Sequence, residues 1–402
     1  MPRLLLQMID DIAPSTRLAP LQRVMLQDSL AEEHAGHHVE QVEIRFAPGE
    51  WRNRVAACWE ETVARTESLR ISFTVEDGEP AGFESAGNLT SLLVGEATPA
   101  SWEAWLAADR HRPLLTAHQV PWRAVYWPAT GRFLWTFHHA LLDGRSITTI
   151  LRAFLTRLSG NPAENLTLAE WHAPTSDALA LADRMFREDF PPQPPEKPLP
   201  NEVDEGPARR CLGDAFRARL EAMALGMDVT PATVLIWAWG QALADASGTD
   251  AVIVEQVRSG APQKRTAGFT MHTLPVIIPR ATDGDVEAPL RDFRKHLLAL
   301  RAIEGVSPAD FPPGVFPDVD RAGSSVIMIE HATPQHLLET DVVESLVLHE
   351  SKGETLMATA HILPDLRLEV EGPGRHGLLE AWVRVLEKLF YSPSKTKTAP
   401  PT

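Results

Sequence analysis

The chain is expected to fold as two mixed α/β lobes in series. Three observations predict this. Helical and strand-like hydrophobic periods alternate along both halves. A proline-rich stretch breaks them near residue 200. The chain has 402 residues and 44% hydrophobic content, enough for two core-bearing lobes of ordinary size. In the first half, helical patterns fall near 20–32 and 51–65, where Trp51, Val55, Cys58, Trp59 and Val63 share a face. Strand patterns fall near 39–46, 69–76, 122–128 and 132–138. Residues 190–207, with Pro191, Pro192, Pro194, Pro195, Pro198 and Pro200, read as a stiff extended linker between a 1–189 lobe and a 208–391 lobe. The second half carries helical patterns near 214–226, 231–247, 286–302 and 375–390. Its strand patterns lie near 251–257, 273–279, 324–330, 342–349, 355–361 and 365–371. No clear sequence repeat links the halves. The tail 392–402, rich in Pro, Lys, Thr and Ser, is expected to be disordered.

Composition removes several function classes. No apolar run approaches the ~20 residues that span a bilayer, and the start Met1–Gln7 is too short, and too soon followed by Asp10 and Asp11, for a secretory signal. A cytoplasmic protein without membrane partners is the expectation. Cys58 and Cys211 form no disulfide framework or metal set. A net charge of −16 argues against a nucleic-acid surface, which needs clustered lysine and arginine. There is no phosphate-binding glycine loop, zinc helix or nucleophile elbow. No metal is expected: adjacent His37 and His38 project in different directions. Trp102 and Trp105, three apart, read as core.

The chemistry concentrates in Phe137-His138-His139-Ala140-Leu141-Leu142-Asp143-Gly144-Arg145-Ser146. The preceding strand alternates Phe133, Trp135 and Phe137 with Leu134, Thr136 and His138, as a strand buried on both faces does. The histidines therefore stand at a strand end. An imidazole with pKa near ~6.5 can take a proton from a hydroxyl, amine or thiol attacking a carbonyl. Asp143 can orient a ring or pin the loop through an arginine. Gly144 allows a tight turn and brings a backbone N–H to a developing oxyanion. The simpler alternative is a strand-end histidine pair satisfied by carbonyls, followed by an Asp-Gly turn.

His138-His139-x-x-x-Asp143-Gly144 resembles the active-site signature of the chloramphenicol acetyltransferase-like superfamily, and within it the condensation domains of nonribosomal peptide synthetases. Further segments are similar to condensation-domain motifs in the same order: Leu18–Leu26, Trp59–Phe73, Val229–Leu235 running on to Asp250, Val257–Pro262 and Gly268–Pro275. Together they cover most of residues 15 to 390. Three positions depart from the pattern. Thr66 stands where histidine is usual, His272 where asparagine is common, and Arg145 where an aromatic residue is frequent.

The resemblance implies two acetyltransferase-like lobes in a pseudo-dimeric V, with the active site at their interface. It implies His139 as the catalytic residue and His138 and Asp143 as scaffold. Arg258 or Arg70 would be the arginine that pairs with Asp143, and the Gly144 N–H is a candidate oxyanion donor. No bound cofactor is implied; the donor is a phosphopantetheine-linked acyl group on a carrier protein or coenzyme A. Both donors are anionic, so Lys264 and Arg265, close in sequence to Arg258, are the candidate donor-binding patch. Met271 and His272 are candidate substrate-channel residues.

The expected function is a standalone condensation-type acyltransferase of natural-product biosynthesis, acting on a carrier-bound thioester and an amine or alcohol, with no carrier segment after residue 390. Two alternatives stand beside it: an acyltransferase using free acyl-CoA, and a non-catalytic scaffold that binds a carrier protein.

Overall fold

A computed structural model describes residues 18–32, 34–86, 92–96, 99–169, 171–189, 206–259, 264–281, 286–306, 325–332, 340–350 and 356–391. In chain order the first elements are α1 (Pro20–Ala31), β1 (Val39–Phe46), α2 (Val55–Ala64), β2 (Ile71–Glu76), β3 (Glu79–Ser85), β4 (Leu93–Val94), α3 (Trp102–Arg110), β5 (Trp122–Trp127), β6 (Arg132–His138) and α4 (Gly144–Leu158). They are followed by β7 (Thr167–Leu168), α5 (Ser176–Asp189), β8 (Ala208–Cys211), α6 (Gly213–Gly226), α7 (Pro231–Ser247), β9 (Ala251–Ser259), β10 (Thr266–Ala267) and β11 (Met271–Pro279). The last are α8 (Glu287–Ala299), β12 (Ser325–Ala332), β13 (Val343–His349), β14 (Leu356–Leu363), β15 (Arg367–Glu371) and α9 (Arg375–Tyr391).

The chain forms two compact units that exchange segments. Among the described residues, the first takes those within 1–173, 259–272 and 334–353, and the second those within 174–258, 273–333 and 354–402. This departs from the linear 1–189 and 208–391 division. Helix α5 joins the second unit, and two stretches of the C-terminal half join the first. Hydrophobic periodicity marks an element but not the sheet it enters, so β13, expected in the second lobe, instead pairs with β1. Of the expected linker, residues 190–205 lie outside the described residues, as does the tail 392–402.

The first unit is built on a five-stranded sheet of order β13-β1-β6-β5-β4. Strand β6 is buried along both faces. Its Phe133 and Trp135 pack edge-on against Trp59 of α2, and Phe154 of α4 closes the same cluster. On the opposite face Leu134 joins Leu106, Val125 and Trp127, with Trp102 and Trp105 stacked on one another at the margin. Helix α4 was not anticipated, although Ile147, Ile150, Leu151, Phe154, Leu155 and Leu158 recur at helical spacing and are all buried.

The second unit carries a six-stranded sheet of order β11-β9-β12-β14-β15-β8, covered by α7 and α9, whose Trp239 and Trp382 rings lie 5.2 Å apart. Gly240 lets α7 approach β11, because a Cβ there would sit 2.5 Å from Ile278. Among the described residues no single helix is long and apolar enough to cross a membrane.

Candidate active site

Strand β6 delivers the motif. Its antiparallel pairing with β1 places Val39 opposite His138. The ladder ends where the His139 N–H donates to the His38 carbonyl at 2.7 Å. Residues His139–Leu141 then form a single 3₁₀ turn, and α4 begins at Gly144. The turn is clamped from α1: Gln22 Nε2 donates to the Ala140 carbonyl at 2.7 Å, and Gln22 Oε1 accepts from the Ala19 N–H at 2.8 Å. Gln22 is buried, so both bonds are shielded from water.

The two imidazoles differ in environment. The His139 side chain keeps 19% of its exposure, and its Nδ1 lies 3.0 Å from the Leu142 carbonyl oxygen. A carbonyl only accepts, so Nδ1 carries the hydrogen and Nε2 carries the lone pair. The ring edge of Phe269 faces it at 5.9 Å.

His138 is wholly buried. Its Nδ1 accepts from the Ala140 N–H at 3.1 Å, so Nε2 donates to Ser29 Oγ at 2.9 Å, and that hydroxyl donates to the His37 carbonyl. Burial, reinforced by the neighbouring His38 and His139 rings, pushes its pKa down to about 3. Burial also lowers the pKa of His38, against the pull of Asp28, whose carboxylate lies 2.9 Å from its Nε2.

A stability prediction follows from His138. In the unfolded chain its ring takes a proton as pH falls through ~6.5, whereas in the folded protein it stays neutral down to about 3. Its stabilising contribution is therefore complete above pH ~6.5 and declines by up to about 1.4 kcal/mol per pH unit below it. Urea midpoints measured from pH 7 to 4 should fall more steeply for the wild type than for His138→Asn. Parallel curves would contradict this.

Asp143 does not pair with an arginine. It is the N-cap of α4: Oδ1 accepts from the Ser146 N–H at 2.9 Å, while Oδ2 accepts from the Thr270 N–H at 3.1 Å and the Thr270 hydroxyl at 2.9 Å. Its own N–H donates to the Gly268 carbonyl, and Ser146 Oγ accepts from the Gly268 N–H. The buried carboxylate is thus satisfied by neutral donors at a helix N-terminus, which removes the need for a cation. Arg258, proposed as its partner, lies 2.7 Å from Glu304 in the second unit. Arg70, the other candidate, closes a 3₁₀ turn at Glu67–Arg70 and is not among the Asp143 donors.

Gly144 likewise differs from expectation. It is the first residue of α4, has no positive φ, and a Cβ there would meet nothing within 4 Å. Neither a tight turn nor packing demands glycine. The backbone N–H groups of this first turn have no acceptor within the helix, and the space in front of Gly144 is open.

The remaining expected residues scatter. Lys264 and Arg265 are exposed, and Arg265 lies 2.7 Å from Glu164. Arg258, their neighbour in sequence, is held by Glu304. Met271 is half-buried against the core of the first unit, and His272 is buried. Thr66 is buried beside Leu166. Among the described residues no group of three His, Cys, Asp or Glu is placed to hold a metal. Sequence reasoning assigned no role to Gln22, Ser29, Phe269 or Thr270. All but Ser29 lie inside the segments that resemble condensation-domain motifs; the long-range pairing that brings them to the histidines is not visible in sequence.

The sequence model of the condensation domain matches residues 13–306. One of the linear gramicidin synthase proteins of Brevibacillus parabrevis is 27% identical over 334 residues, which cover 74% of this chain and 4% of that protein. The chain thus spans a small fraction of this curated relative. The condensation domain of the Monacolin K polyketide synthase MokA has the same fold, with a TM-score of 0.72 at 12% identity, covering 94% of this chain and 98% of that one. So does the starter condensation domain of rhizomide synthetase RzmA, in a mutant form bound to C8-CoA, with a TM-score of 0.68 at 12% identity and coverage of 93% and 94%. Domains of this kind are acyltransferases that form amide or ester bonds. With the family match spanning most of its length and the histidine motif seated at the end of β6, the chain belongs to the condensation-domain family.

Proposed function

We propose that the chain transfers an acyl or aminoacyl group from the phosphopantetheine thioester of a carrier protein to an amine or alcohol, in the cytoplasm and within natural-product biosynthesis. The observation that carries the reading is the contact of His139 Nδ1 with the Leu142 carbonyl: with Nδ1–H committed there, the lone pair stands on Nε2 at a partly open position. Nε2 takes the proton of the acceptor as its nitrogen or oxygen attacks the thioester carbonyl. The resulting oxyanion is stabilised by N–H groups of the first turn of α4, with Gly144 as the donor of choice. Collapse expels the thiolate, which takes the proton back from His139. No acyl-enzyme is needed.

The likeness to a linear gramicidin synthase and to fungal proteins named as nonribosomal peptide synthetases supports a carrier-bound donor. One observation favours the second reading, a free acyl-CoA donor: the RzmA starter domain was crystallised with C8-CoA. Incubating the purified chain with acyl-carrier and acyl-CoA donors and mixed amine and alcohol acceptors, with products followed by mass spectrometry, separates them. Product from carrier-bound donors alone supports the proposal, and turnover of micromolar acyl-CoA supports the second reading. Silence with every donor, together with tight carrier binding, would leave a scaffold.

Lys264 and Arg265 are the proposed contacts to the anionic donor. Changing both to serine should raise the apparent KM for the donor severalfold and leave kcat unchanged. An unaltered KM would make them ordinary surface residues.

A further inference from the structure

The mechanism leaves one buried carboxylate beside His139 unused. Glu40, the second residue of β1, is buried, and its Oε1 lies 3.6 Å from His139 Nδ1. The placement follows from the ladder: Val39 pairs with His138 and Glu40 with Phe137, while the His139 N–H is fixed to the His38 carbonyl, so the ring folds back over the start of β1. The Nδ1 hydrogen already points to the Leu142 carbonyl, so Glu40 meets the ring as a charge rather than as a second strong acceptor.

We infer that Glu40 is a positioning residue that acts through His139, stabilising the imidazolium formed when Nε2 takes the acceptor's proton. This rests on the reading of His139 as the base. The other groups around the pair set the size of the effect. Arg110 of α3 shares the field of Glu40, while its guanidinium donates to the carbonyls of His349 and Glu350 and to Gln41 Oε1. His38, carrying Asp28, precedes β1 and opposes positive charge on His139. His138 is neutral, Phe269 presents an apolar edge, and Glu350 follows the end of β13. A carboxylate within ~4 Å of an imidazole favours its protonated form by about one pH unit or more.

The test is ring titration of His139 by NMR, with its resonance identified by loss in His139→Gln, run on wild type, E40Q and E40D. In E40Q the pH at which the ring takes a proton should fall by about one unit, and kcat at neutral pH about tenfold with KM little changed. In E40D, which keeps the charge one methylene further back, the fall should be about half as large. An E40Q ring that titrates with the wild type would overturn the inference, as would E40D behaving like E40Q; were E40Q to lose its fold, E40D against wild type decides. The titration needs no substrate. A shifted ring in a protein that transfers nothing would sink the acyl-transfer reading alone, whereas transfer with an unmoved ring would sink the role of Glu40 alone.

Discussion

Replacing Asp143 with alanine should destabilise the protein by about 4 kcal/mol and abolish measurable transfer at the same time. The carboxylate accepts from the Ser146 N–H, the Thr270 N–H and the Thr270 hydroxyl, and all three donors are buried. Truncation leaves them without an acceptor, at a cost of about 1–3 kcal/mol each before relaxation. The two bonds from Thr270 join residues 127 apart in sequence, tying the Gly268–Thr270 segment to the first turn of α4. Their loss frees Phe269 from the His139 ring and unsettles the Gly144 N–H, so rate falls along with stability. Asp143→Asn keeps one acceptor oxygen and should recover about half of the loss. Urea denaturation of the three proteins checks this. A fully stable, inactive D143A would instead give Asp143 a direct chemical role.

His139→Ala should do the opposite: abolish transfer and leave folding nearly intact. The ring makes one hydrogen bond, to the Leu142 carbonyl, from a partly exposed position, so its removal should cost about 1 kcal/mol and move the thermal midpoint by a few degrees at most. Loss of the proposed general base should lower the rate by about 10² to 10⁴-fold. A large drop in the midpoint would mean that the imidazole holds the turn together, and the functional assignment would then need a different residue.

The motif was legible because its spacing is local. A strand buried on both faces ends at His138, and five residues later Asp143 caps a helix. The cap itself is ambiguous in the sequence. Asp-Gly serves a turn or a helix start equally well, and only the buried apolar residues from Ile147 to Leu158 distinguish the two. The arginine expected for Asp143 failed for a related reason: a sequence displays charges but conceals the backbone N–H groups that a fold can aim at a carboxylate. What lay beyond reading was pairing at long range. Strand β13 joins β1, and Gly268–Thr270 returns to α4, through contacts that no periodicity encodes. Glu40 left no trace in any motif, since its meaning depends on the ring folded back over it.

In the proposed reaction His139 Nε2 takes the acceptor's proton in a direct acyl transfer. Its most direct test is a single-turnover time course with an acylated carrier protein and an amine or alcohol acceptor, run with wild type and His139→Ala at equal concentration. Product is expected with the wild type, at least a hundredfold less with the variant, and no acylated enzyme in either. Equal product from both proteins, or an acyl group trapped on the enzyme, would contradict it.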